Sequence, residues 1–240
     1  MDMKKVVGSV LALVVVAVGG YMVLGKKNAT TTPAVATVES VAKVNGVDIT
    51  KTDYESQLAS SITALKNQGV DTASTTVVTA IRTQVLTDLI NNELVNQGVK
   101  AAGITATADE INTQFQAVVT QLGGADKLAE ELKKINITEA KFKENLSRQI
   151  TGQKYLLANI DPAKVAVTDA EVKKFYDDAV AAQKEADKKL PKDQKPQPIP
   201  ALKDVEAQIK QQLTLQKQQV EATAFVQSLR AKASIETTLK

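Results

Sequence analysis

Histidine, cysteine and tryptophan are all missing from this chain. Without histidine there is no Ser-His-Asp triad and no imidazole base. Without cysteine or histidine there is no thiolate nucleophile and no ordinary zinc site. Carboxylates remain, 27 of them, but no pair stands apart from the solvated helix faces. No catalytic, cofactor or metal-binding residue is therefore assigned, and the sequence argues against an enzyme. A chain with no cysteine cannot be mis-oxidised, which suits an exported protein that needs no disulfides. Aromatic residues make up 3% of the chain, too few for base-stacking platforms. The formal charge of +3 lies wholly within residues 1–27, which hold four lysines and one aspartate; the remainder is balanced. Nothing in that balance marks a nucleic-acid partner.

What the N-terminus does have is a long uncharged run, Val6 to Leu24, between Lys4-Lys5 and Lys26-Lys27. Such a run is about long enough to cross a bilayer core of roughly 30 Å. It reads as a cleaved secretory signal or a retained signal-anchor. The length of the run and the closing lysine pair favour the anchor, with residues 6–24 in the membrane. No cysteine follows, which excludes a lipid anchor there. Residues 28–40, small and polar, read as a flexible tether.

The chain is organised around Val41 to Tyr54. Two short β-prone runs flank Asn45-Gly46, the dipeptide that best tolerates positive φ at both centres of a tight hairpin. Thr50 offers an N-cap hydroxyl and Asp53 stands where a capping-box glutamate would. The spacing predicts a helix over 53–66 with Tyr54, Leu58, Ile62 and Leu65 on one face. The next helix carries two adjacent apolar rows, Val78, Ile81, Val85, Leu89 and Leu86, Ile90, Leu94, and should be central to the core. Gly98 lies within it and should weaken it by about 1 kcal/mol relative to alanine.

Thr107-Ala-Asp-Glu110 is a full capping box, opening a helix with Ile111, Phe115, Val118, Val119 and Leu122 that Gly123-Gly124 stops. A shorter helix follows with Leu128, Leu132 and Ile135. Thr138 then caps a long one with Phe142, Leu146, Ile150 and Leu156-Leu157. Pro162 and the run Val165-Ala-Val167 interrupt the helical pattern. Thr168-Asp-Ala-Glu171 is a second capping box. Residues 191–200 hold four of the six prolines and read as an exposed connector. A last, glutamine-rich helix runs from about Leu202 to Ala231. The closing Ala233-Ser-Ile-Glu-Thr-Thr-Leu239 is β-prone and needs a partner, either the hairpin near Val44 or the run at Val165.

Three stretches together resemble the N-terminal chaperone domain of the SurA/PrsA group. They are Val41-Ala-Lys-Val-Asn-Gly-Val-Asp-Ile-Thr, Gln84-Val-Leu-Thr-Asp-Leu-Ile-Asn-Asn-Glu-Leu and Val167-Thr-Asp-Ala-Glu-Val-Lys-Lys-Phe-Tyr. The closing helix and the Ser234-Ile-Glu-Thr-Thr strand resemble the segment that completes that domain. The resemblance implies a mainly α, multi-helix domain in which a small β-hairpin and strand join the two ends, behind an N-terminal transmembrane or signal helix. On this reading residues 41–190 and 201–240 form the chaperone domain, and 191–200 stands in place of a parvulin prolyl-isomerase domain. The gap is too short for that fold, and the histidines that line a parvulin site are absent.

The resemblance further implies a holdase for unfolded or nascent exported polypeptides, anchored to the membrane with its C-terminal part outside the cytoplasm, periplasmic or at the cell surface. A cleaved, secreted form remains open. Such a protein needs an apolar surface that stays exposed, rimmed by polar groups. Phe115, Val118, Val119 and Leu122, facing Phe142 and Leu146, are the candidate polypeptide-binding residues. The competing reading of each is plain core. An adaptor that binds one fixed envelope partner through the same fold is the alternative function.

Overall fold

The computed structural model describes residues 39–135, 137–190, 196 and 198–238. The expected membrane segment at 6–24, most of the tether and most of the connector lie outside the described residues. Among the described residues no helix is long and apolar enough to cross a membrane.

The protein is mainly helical with one three-stranded antiparallel sheet in the order β2-β1-β3. Strands β1 (Ser40–Val44) and β2 (Val47–Thr50) form the hairpin expected at Asn45-Gly46. Both turn residues take positive φ, 49° and 84°, the backbone a tight primed turn requires. The register slips between Ser40 and Ala42. Ser40 Oγ donates there to the Ala42 and Ile49 carbonyls at 2.7 and 3.3 Å. The irregularity turns Val41 and Ala42 inward together, where strict alternation would bury only one of them.

Helix α1 (Lys51–Asn67) starts directly from β2. Thr50 Oγ1 accepts from the Asp53 amide at 3.0 Å, but the Asp53 carboxylate takes the Thr50 hydroxyl at 2.7 Å. Aspartate, one methylene shorter than glutamate, leaves the box half closed. Helix α2 (Thr75–Ala101) is the long central helix the apolar rows predicted. Its Ile81, Val85, Leu89, Ile90 and Leu94 pack with Val41, Ala42, Val44, Ile49 and Tyr54 into one buried cluster, joined at its edge by Leu229 and Ile235.

Three helices follow: α3 (Ala108–Leu122), α4 (Ala125–Lys134) and α5 (Glu139–Ala158). The run at Val165 does not become a strand. Asp161 caps Pro162–Val165 as the single turn α6, its Oδ1 accepting from Ala163 N at 2.9 Å, and proline at the first helical position suits that turn. Helices α7 (Asp169–Asp187) and α8 (Leu202–Lys232) come next. Strand β3 (Ile235–Thr237) pairs antiparallel with β1, Val44 opposite Ile235 and Ala42 opposite Thr237. Of the two partners the sequence allowed, the hairpin is the one used.

The described residues divide into two compact units. One comprises residues 39–158 with 226–238 and holds the sheet and α1–α5. The other, 159–225, holds α6, α7 and most of α8, with Ile160, Val172 and Ile209 buried. In this second unit Lys217 Nζ donates to the Ala166 carbonyl at 2.6 Å and pairs with Glu171 at 2.7 Å. Tyr176 Oη donates to the Pro200 carbonyl at 2.8 Å.

Candidate polypeptide-binding surface

The candidate residues sit on α3 and α5, and their placement begins with how α3 starts. Thr107 Oγ1 accepts from Glu110 N at 3.2 Å, and Glu110 Oε2 accepts from Thr107 N at 2.8 Å, closing the capping box. Lys154, from α5, then donates to the same Glu110 oxygen at 2.6 Å and to the Thr105 carbonyl at 3.1 Å. The Lys154 bond, more than the Thr107 amide, holds the Glu110 carboxyl below its usual range. The lysine ties the start of α3 to α5, so the apolar stripes of the two helices are held against each other.

Gly123 ends α3 in the left-handed region, φ 88°, where an L side chain is strained. The chain reverses into α4, which lays Leu128 and Leu132 beneath the same stripe. Thr138 Oγ1 accepts from Lys141 N at 3.2 Å, starting α5 where expected. The resulting cluster has four buried members, Phe115, Leu128, Leu132 and Leu146, with Ile111, Val118, Val119, Ile137 and Phe142 half-buried around them.

The expected set divides by depth. Phe115 and Leu146 are 9% and 4% exposed and lie inside. Val118, Val119 and Phe142 are half-buried at the rim, and Leu122 is 40% exposed. The Phe115 and Phe142 rings stand 6.1 Å apart between centroids and are tilted by 59°, a favourable aromatic geometry. Lys143 Nζ lies 4.3 Å from the Phe115 ring centroid, within cation–π range, and also pairs with Glu139 at 2.7 Å. Outside the expected set, Ile135 at the C-terminal end of α4, the helix that supplies Leu128 and Leu132, is 49% exposed. Its place in the Leu128, Leu132, Ile135 stripe was the signal.

The site offers apolar contact surface with charged groups at its edge. Among the described residues no cluster of acidic side chains could hold a metal ion, and no buried polar side-chain atom lacks a partner.

The sequence pattern of the SurA-like N-terminal domain matches residues 2–156. The chain belongs to the SurA-like N-terminal domain family. Among curated proteins it is similar to the foldase protein PrsA of Clostridium kluyveri, 26% identical over 187 residues, covering 72% of this chain and 55% of that protein. It is also similar to the foldase protein PrsA of Clostridium acetobutylicum, 29% identical over 170 residues, covering 67% of this chain and 49% of that protein. The matches thus span about half the length of these relatives. A solved structure from work describing PEB4 and Cj1289 as two structurally related SurA-like chaperones of Campylobacter jejuni covers 84% of this chain and 100% of its own. It is 14% identical, with a TM-score of 0.48.

Proposed function

We propose that this SurA-like chain is a membrane-tethered extracytoplasmic holdase that binds unfolded exported or envelope polypeptides and does not isomerise prolyl bonds. One observation carries the reading: Leu122 stands exposed at the end of the α3 stripe that holds half-buried Val118 and Val119, and Ile135 stands exposed at the end of α4, an apolar edge on helices whose cluster has only four buried members. A compact domain that served only as structure would gain by covering that edge, since each side chain left in water forfeits its burial free energy. Family membership and the foldase name of the PrsA relatives support a role in folding. The absence of histidine from the chain and the short passage between α7 and α8 support the lack of a parvulin domain. Residues 1–27 act as the anchor, 28–40 as the tether and 191–200 as the connector within one chaperone domain made of 41–190 and 201–240.

The test is aggregation suppression. A chemically unfolded envelope protein is diluted into buffer with and without residues 39–240, and light scattering is followed. Suppression near stoichiometric amounts, with no binding to the native client, is the expected result. A photo-crosslinker at Leu122 or Phe142 should then capture the client. No suppression across several unrelated clients sinks the holdase reading and leaves the fixed-partner adaptor. Turnover of a proline peptide sinks the claim that the protein is not an isomerase.

A further inference from the structure

Asn45 does more than make a turn. Its backbone N–H donates to the Ser234 carbonyl at 2.8 Å, and the Ser234 N–H returns a bond to Asn45 Oδ1 at 2.9 Å. Its other side-chain arm, Nδ2, donates to Gln97 Oε1 at 2.8 Å. One exposed amide thus joins the β1–β2 turn to the central helix α2 and to the residue that leads into β3.

The chemistry of the neighbours fixes which arm does what. Gln97 Nε2 donates to the Val44 carbonyl at 3.0 Å and to Glu93 Oε1 at 2.8 Å. A carbonyl and a carboxylate both accept only, so the Gln97 amide nitrogen must face them and its oxygen must face Asn45. Position 45 therefore needs a donor on one arm and an acceptor on the other, on a backbone with positive φ. Asparagine alone meets all three demands with ease. An aspartate there would set a carboxylate against the Gln97 oxygen. Turning Gln97 over to meet it would break two bonds and bring its oxygen against Val44 O and Glu93.

The residue that follows is glycine, with no Cβ to shield its backbone nitrogen, and nothing within 4 Å of where one would lie. Asparagine is a thermolabile side chain, and Asn-Gly is the pair in which the following nitrogen is least obstructed. We infer that Asn45 is a deamidation site, held unreactive by its bonds to Gln97 and Ser234, and that its conversion unfastens the C-terminal strand. In the reaction the Gly46 nitrogen attacks Asn45 Cγ. A new C–N bond forms, the Cγ–Nδ2 bond breaks, and ammonia leaves with the proton from the Gly46 amide. Water then opens the cyclic imide at either carbonyl, giving aspartate or isoaspartate. Attack requires Cγ to swing away from Ser234 and Gln97, so the reaction proceeds only from the opened clasp. Its product has lost the Nδ2 donor, and the isoaspartate form also lengthens the turn backbone, so the clasp does not close again. The mark would accumulate on molecules whose β3 has been undocked, which makes it a record of past opening.

The experiment is peptide mapping by mass spectrometry after incubation of the full chain in detergent at mildly alkaline pH. Native protein, protein in urea, and the Gln97→Ala and Ser234→Pro variants are compared, with helix content checked by circular dichroism. Conversion at Asn45 in the native protein should be at least about tenfold slower than in urea, the protection expected when local opening is rare. Gln97→Ala, which keeps β3, should react at an intermediate rate, as should Ser234→Pro where it folds. Aged native protein should lose amide-exchange protection at residues 235–238. Equal rates in native and unfolded protein, or a Gln97→Ala rate equal to native, overturn the protective role. Unchanged protection of β3 after complete conversion overturns the unfastening.

Discussion

The ring of Tyr155 occupies the space in which a side chain at position 98 would begin. A Cβ built on Gly98 would clash with Cζ, Cε1 and Oη of Tyr155. Gly98 lies in the last turn of α2 and Tyr155 near the end of α5, so the glycine is where the central helix lets α5 come close. Gly98→Ala gains about 1 kcal/mol of helix propensity, but overpacking of a tight contact costs about 1–3 kcal/mol. The variant is expected to be less stable by about 1 kcal/mol in urea unfolding. Adding Tyr155→Ala should reverse the sign of the Gly98→Ala effect. A stabilised Gly98→Ala single variant would show that the contact is not the reason for the glycine.

Lys217 and Lys154 close two capping boxes in the same way, each reaching a box glutamate and a carbonyl two residues before the capping threonine. At Glu171 the bond from Lys217 comes first, followed by that from the Thr168 amide, and together they lower the carboxyl from 4.5 to about 2. A depressed folded-state value means stability that is present above pH 4.5 and is lost as pH falls toward about 2. The advantage of the native protein over Lys217→Met should therefore be constant above pH 5 or so and shrink steadily below the ordinary carboxylate range. Urea midpoints of the two proteins across that range measure it. A gap that persists at pH 2 would mean that Lys217 acts through its aliphatic stem and not through Glu171.

The capping threonine at α3 gives a simpler expectation. Thr107→Ala removes the acceptor of the Glu110 amide and should cost about 1 kcal/mol. Because Glu110 is also held by Lys154, the loss should be smaller in a Lys154→Met background, where the box is already loosened. A double-mutant cycle in urea reads the coupling. Strict additivity would separate the lysine from the cap.

What was legible in the sequence was local. Thr107 and Thr168 announced their helices because a capping box is written within four residues, and Asn45-Gly46 announced its hairpin for the same reason. The lysines that complete both boxes come from 44 and 46 residues away, and no short pattern points to them. Gly98 read as a defect because its reason, Tyr155, belongs to another helix. Val41 and Ala42 are buried side by side because the register slips, which a period-two reading does not contain. At the candidate surface the stripe of α3 was legible but its depth was not. Phe115 and Leu122 lie on the same apolar stripe, two turns apart, yet one is buried by α4 and α5 and the other is left at the edge.

That difference in depth separates stability from binding. Phe115→Ala empties the centre of a small cluster, removing the ring that packs on Phe142 and carries Lys143, and should cost about 3–5 kcal/mol. Leu122→Ser and Ile135→Ser act at exposed positions, where substitutions usually stay within about 0.5 kcal/mol. Under the holdase reading the Leu122→Ser/Ile135→Ser double variant keeps its urea midpoint and loses suppression of client aggregation, because only the contact surface has changed. Phe115→Ala loses stability first, and its suppression falls only as the α3–α5 cluster loosens. Full suppression by the double variant would move the client surface away from these helices. Loss of both stability and suppression in the double variant would show that Leu122 and Ile135 belong to the core after all.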